Sequence, residues 1–218
     1  MTIDTNDKLN SILRSIADIT FIKSDDIPNI DLYMDQVTTF MDEQLAKSKR
    51  YPDDKILTKT MINNYAKNNL LPPPDKKKYS REHMLLLIFI YYFKNILTIK
   101  DIQTLLNPLT ESYFGKKDQN FTIKDLYDSV FSFESEEMDR IMEDIRETYA
   151  RVEDSFADVS ENQDFIKIFT FISMLSFDVY VKKQLIETLI DMVSENNEAK
   201  ASKEKSSKEQ KPHPEARS

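Results

Sequence analysis

Ammonium and carboxamide side chains, the groups suited to binding a polyanion, crowd into one window of this sequence. Residues 47–100 hold 12 Lys and Arg against 4 Asp and Glu, a surplus of 8 positive charges in a chain whose formal net charge is −8. Phosphate attraction is local, because exposed charges are screened within about 10 Å, so this segregation outweighs the net value. Lys76, Lys77 and Lys78 stand together in a turn behind Pro72, Pro73 and Pro74. Upstream, Lys59, Asn63, Asn64 and Lys67 are all hydrogen-bond-capable. A carboxamide suits bidentate contact with adenine, and a lysine suits guanine or phosphate.

Other chemistry finds little to work with. The chain has no Cys, which excludes disulfides and thiolate metal sites, and one Gly, Gly115, which excludes glycine-rich phosphate loops. Its two histidines, His83 and His213, lie in no HExxH or paired spacing. The pairs Asp25-Asp26, Asp53-Asp54 and Glu136-Glu137 read as solvated surface. No catalytic residue, cofactor or metal is therefore expected, and the chain is not expected to be an enzyme.

The elements that position the basic window follow from pattern. Thr58 is a good N-cap for a helix carrying Met61, Ile62, Tyr65 and Leu70. Three prolines forbid its continuation. Ser80 caps a second, strongly apolar helix, and Leu97-Thr98-Ile99 restarts a shorter one that ends at Leu105-Leu106, before Asn107-Pro108. The longest apolar run, residues 84–93, is about half of the roughly 20 residues a membrane span needs, so it reads as a buried core helix.

The run TKTMINNYAKNNLLPPP…KKYSREH…LLIFI…LTIKDIQTLL resembles the MerR-type winged helix-turn-helix. It is also similar to an uncharacterised bacterial domain-of-unknown-function family, family 1836. The resemblance implies a mainly α fold: a MerR-like winged helix-turn-helix with a small β wing at most, followed by a C-terminal helical region. It implies that Thr58, Lys59, Thr60, Asn63, Asn64 and Lys67 lie on a recognition helix and that Tyr65 supports that helix or touches phosphate. Lys76, Lys77 and Lys78 would form the wing, with Arg81 beside it, and Tyr79 would anchor it to the core. Double-stranded DNA would be the partner.

The flanking regions read as follows. Residues 1–30 give a short amphipathic helix over 7–18 and a loop, and 31–49 a helix leading into the winged module, placed at 31–108. Residues 109–194 read as a helical dimerisation or effector region that opens with a connecting loop over 110–121, and its helix over 163–194 is apolar on so much of its circumference that it needs a partner, most simply a second copy. Phe131, Phe133, Met138, Met142, Phe169, Phe171, Met174 and Phe177 supply either core and dimer interface or the lining of an unknown effector's pocket. Residues 195–218 alternate Lys and Glu without apolar periodicity and read as a disordered tail. No secretory signal or membrane span is visible, so a cytoplasmic location is expected. The function expected is a sequence-specific DNA-binding transcriptional regulator, a repressor acting as a homodimer. The alternative is a non-enzymatic protein-interaction adaptor on a helix-turn-helix core that does not read DNA.

Overall fold

A computed structural model describes residues 5–17, 21–116, 119–156 and 161–209. In chain order the elements are α1 (Thr5–Ala17), β1 (Leu32–Tyr33), α2 (Met34–Gln44), α3 (Lys59–Lys67), β2 (Lys78–Tyr79), α4 (Arg81–Phe93), α5 (Ile99–Tyr113), α6 (Ile123–Phe131), α7 (Glu134–Ser155) and α8 (Gln163–Glu209). The fold is mainly helical, and β1 and β2 form a small antiparallel sheet pairing Leu32 with Tyr79 and Tyr33 with Lys78.

The apolar helix is the centre. From His83 to Tyr91 every residue of α4 is buried. A helix apolar on all faces must be covered on all of them. Here Val37 and Met41 of α2, Ile62 of α3, Ile102 and Leu106 of α5 and Ile123 of α6 join it in one cluster.

Local chemistry sets the ends of the helices around it. The Met61 amide donates to Thr58 Oγ1 at 3.2 Å, as the N-cap reading predicts. At the other end of α3, Asn69 takes φ 56°, the left-handed position usually filled by glycine. The Leu70 amide donates to the Tyr65 carbonyl at 2.8 Å and the Asn69 amide to that of Ala66 at 3.3 Å, closing the last turn. Thr98 with Asp101, and Thr122 with Asp125, make reciprocal capping pairs that start α5 and α6.

Four expectations need correction. The helix placed over 31–49 begins later, because Leu32 and Tyr33 pair with Tyr79 and Lys78 of β2, distant partners that periodicity cannot reveal. Pro108 lies inside α5 instead of ending it. A mid-helix proline costs about 3 kcal/mol, but Leu105, Leu106, Leu109 and Tyr113 pack on the core and hold the helix to Tyr113. The boundary after 108 therefore falls within a helix, and the same core takes in α6. Ile123 and Tyr127 are fully buried there, Tyr127 Oη donates to the Ile22 carbonyl at 2.5 Å, and Phe131 packs on Phe21. Finally, α8 runs through Glu209, so residues 195–209 are helical where a disordered tail was expected. Their Glu, Lys and Ala are good helix formers and need no apolar stripe to continue a helix already started. Residues 210–218 lie outside the described residues.

Removing the Tyr127 hydroxyl tests whether α6 belongs to this core. Tyr127→Phe leaves the buried Ile22 carbonyl without its donor and is expected to cost about 1–3 kcal/mol. Urea unfolding measures it, and an unchanged midpoint would separate α6 from the unit.

Beyond that unit, α7 and α8 form a hairpin with a smaller cluster of their own. Tyr149 meets Phe171 edge-on at 5.2 Å, with Val152, Ile145, Leu175 and Leu9 of α1 around them. Further along, α8 returns to the main core through Ile186 and Ile190, beside α5.

Candidate nucleic-acid interface

The surface that α3 presents is polar throughout. With Ile62 and Tyr65 turned inward, Lys59, Thr60, Asn63, Asn64 and Lys67 are exposed, and no exposed large apolar residue lies on the helix. Among the described residues, neither the Asn63 nor the Asn64 side-chain amide makes a hydrogen bond within the chain. The Thr58 hydroxyl is occupied as the cap. Tyr65 is buried, and burial pushes its hydroxyl above the usual phenol range.

After the prolines the chain reverses in a two-residue hairpin. The Lys78 amide donates to the Asp75 carbonyl at 2.8 Å, and the intervening Lys76 and Lys77 take φ 47° and 66°. Two left-handed residues at such a tip are the signature of a type I′ turn, which favours Asn-Gly because a Cβ is strained there. Both lysines are exposed and, among the described residues, unpaired. Lys78 is half-buried with Nζ 5.3 Å from the centre of the Tyr33 ring, and buried Tyr79 packs against His83 at 5.5 Å. The tip is thus fixed from below by β1 and α4.

Electrostatics trims the set of residues that the sequence suggested. Arg81 turns away: its guanidinium donates to the Ser24 carbonyl at 2.5 Å and to Asp25 at 3.2 Å, pinning the Ser24–Asp26 turn to α4. Lys59 forms an ion pair with Asp35 of α2, and Lys49 one with Asp42 at 2.8 Å. Of the cations that the sequence suggested for this site, Lys67, Lys76 and Lys77 are exposed and, among the described residues, make no ion pair. Lys100 adds to them: it is exposed in the first turn of α5, and Gln103 in the next turn donates to the Asn68 carbonyl at the end of α3. Lys100 belonged to the charge surplus, but only the α3–α5 contact brings it near the site.

His83 is structural. Its Nδ1 accepts from the Ser80 amide at 3.0 Å, which leaves the proton on Nε2, buried toward the Pro72 and Pro73 carbonyls. Burial pushes its pKa below the ordinary 6.5, partly opposed by the Pro73 and Pro72 carbonyls. Since the fold accepts the neutral ring, this contribution to stability is complete above about pH 6.5 and is lost as pH falls toward the folded value. The slope is up to about 1.4 kcal/mol per pH unit. Urea midpoints at pH 7.5 and 5.5 are expected to differ more for the wild type than for His83→Gln, and parallel curves would contradict this.

Among the described residues no group of three or more His, Cys, Asp or Glu is placed to hold a metal ion, and no helix is long and apolar enough to cross a membrane. Of the aromatic and methionine residues considered as pocket lining, Phe131, Phe133 and Met138 do share a cavity, of about 450 Å³, with Phe21, Val130, Glu137 and Ile141. Phe171 is instead buried in the α7–α8 cluster.

Fold and surface thus define a mainly helical protein that offers a polar helix face and a lysine-tipped hairpin. Residues 22–130 match the family described as Domain of unknown function (DUF1836), and the chain belongs to that family. The match covers the unit from the Ser24–Asp26 turn to α6, whose packing the core defines. No curated protein and no solved structure matches the chain.

Proposed function

We propose that this protein is a sequence-specific DNA-binding transcriptional regulator, a repressor, that acts as a homodimer through a MerR-like winged helix-turn-helix. The order β1, α2, α3, hairpin, with β2 returning to pair with β1, supports the winged arrangement. The observation that carries the reading is the exposed face of α3, where two carboxamides without a hydrogen-bond partner among the described residues lie between lysines and no large apolar residue is exposed. In this reading α3 enters the major groove, Asn63 and Asn64 contact base edges, and Lys67, Lys76 and Lys77 contact phosphates. Lys59 joins them by exchanging Asp35 for DNA.

The rival reading, an adaptor that no longer reads DNA, draws on the Lys59–Asp35 and Lys49–Asp42 pairs, which neutralise two of the cations beside α3. Selection from a random duplex pool separates the two. A DNA reader of this design enriches an inverted repeat whose half-sites lie about 34–36 Å apart, or a multiple of that, whereas an adaptor enriches nothing.

A further inference from the structure

Two apolar stripes run along opposite faces of α8, and the chain covers half of each. In the first half, Phe171 and Leu175 pack toward α7, while Phe165, Ile168, Phe169 and Ile172 on the far side stay exposed. Further along the roles exchange. Ile186 and Ile190 now seat the far side on the core, and the face that α7 had covered continues bare. It consists of Met174, Phe177, Val181, Leu185 and Met192, between 36% and 68% exposed. With Thr188 they follow helical steps of three and four residues, a stripe of about 27 Å.

We propose that this stripe, within residues 174–192, is where two copies of the chain meet, each α8 laying it against the same stripe of the other about a two-fold axis. Scattered exposed apolar residues are ordinary on a monomer, but a continuous stripe marks an interaction surface. Its exposed side chains, with neighbouring Leu189, amount to on the order of 600 Å² per chain, most of the ~800 Å² per partner of a standard interface before any flanking contact. No positive charge is in surplus along it: Lys182 pairs with Asp178 at its edge, and within residues 174–192 three acids stand against two lysines. That suits a self-complementary contact and offers no field for an anionic lipid surface or an acidic partner. The same turns of α8 are fixed on their other side by Ile186 and Ile190, so a dimer made here joins the two DNA-reading units rigidly, as paired half-sites require. The inference rests on the dimeric part of the proposed function and not on DNA reading.

Sedimentation equilibrium of the full chain without DNA tests it. The wild type is expected to be a dimer, and Leu185→Glu to raise the dimer dissociation constant by about 100-fold or more, since it places unpaired carboxylates in the contact. Phe169→Glu, on the opposite stripe, is expected to leave the dimer intact. Circular dichroism should show unchanged helicity for both, because each side chain lies outside the chain's own core. The absence of Cys allows an independent check: Val181→Cys introduces the sole thiol, and a short bismaleimide should join two copies. A monomeric wild type, a dimer insensitive to Leu185→Glu, loss of the dimer with Phe169→Glu instead, or no cross-link at 181 would each overturn the proposal. Duplex selection still tests DNA reading on its own in every one of those cases.

Discussion

Asn63→Ala with Asn64→Ala is expected to abolish most of the protein's preference for its selected DNA site while leaving the fold and the non-specific affinity in place. Both amides are exposed and, among the described residues, make no hydrogen bond, so their loss strands no described buried partner. Alanine is also the better helix former, which makes α3 slightly more stable. Each bidentate amide–adenine contact discriminates by about 1–3 kcal/mol, so losing both lowers the ratio of specific to scrambled affinity by roughly 30-fold or more. The phosphate contacts, which supply non-specific binding, involve other residues. Fluorescence anisotropy on both duplexes reads the ratio directly. An unchanged ratio would remove α3 from base recognition.

The hairpin tip carries the second large effect, and its two parts have opposite signs. Lys76 and Lys77 hold φ 47° and 66°, where a side chain costs roughly 1–2 kcal/mol per residue and Asn-Gly costs much less. Replacing the pair with Asn-Gly is expected to stabilise the protein by about 1–2 kcal/mol in urea unfolding. The same variant loses two phosphate-facing cations, so the slope of log affinity against log salt should become shallower by about 2, with weaker binding at physiological salt. A gain in stability with no change in the salt slope would make the tip an ordinary turn. A loss of both would mean that the lysines themselves stabilise the hairpin. Strain kept at a solvent-exposed tip is the kind of feature that function retains at the expense of stability.

How much of this was legible in the sequence depends on the distance over which each feature is decided. The N-caps at Thr58 and Ser80, the buried apolar helix and the basic turn were readable, because each is set by neighbours within one or two helical turns. The small β element was expected only through resemblance, since two residues from each strand give no period. Pro108 misled because its local cost is real, and only the packing of Leu105, Leu109 and Tyr113 outweighs it. The closure of the core by α6 depends on Tyr127 reaching Ile22, a contact across 105 residues that one sequence cannot display.

The polar face of α3 was visible residue by residue, but its electrostatics were not. Asp35 beside Lys59 and Asp25 beside Arg81 take two expected cations into internal pairs, and both partners come from other segments of the chain. Conversely, the left-handed conformations of Asn69, Lys76 and Lys77 were hidden because the chain uses residues other than glycine there.

The measurement that bears most directly on the central claim is fluorescence anisotropy of the full protein on duplex DNA from its own upstream region, against scrambled DNA, across a salt series. Tighter binding to the upstream duplex is expected, by about 1,000-fold or more for a specific site, with affinity falling steeply as salt rises. Weak and equal binding to both duplexes, unaffected by the Asn63/Asn64 and Lys76/Lys77 substitutions, would contradict it.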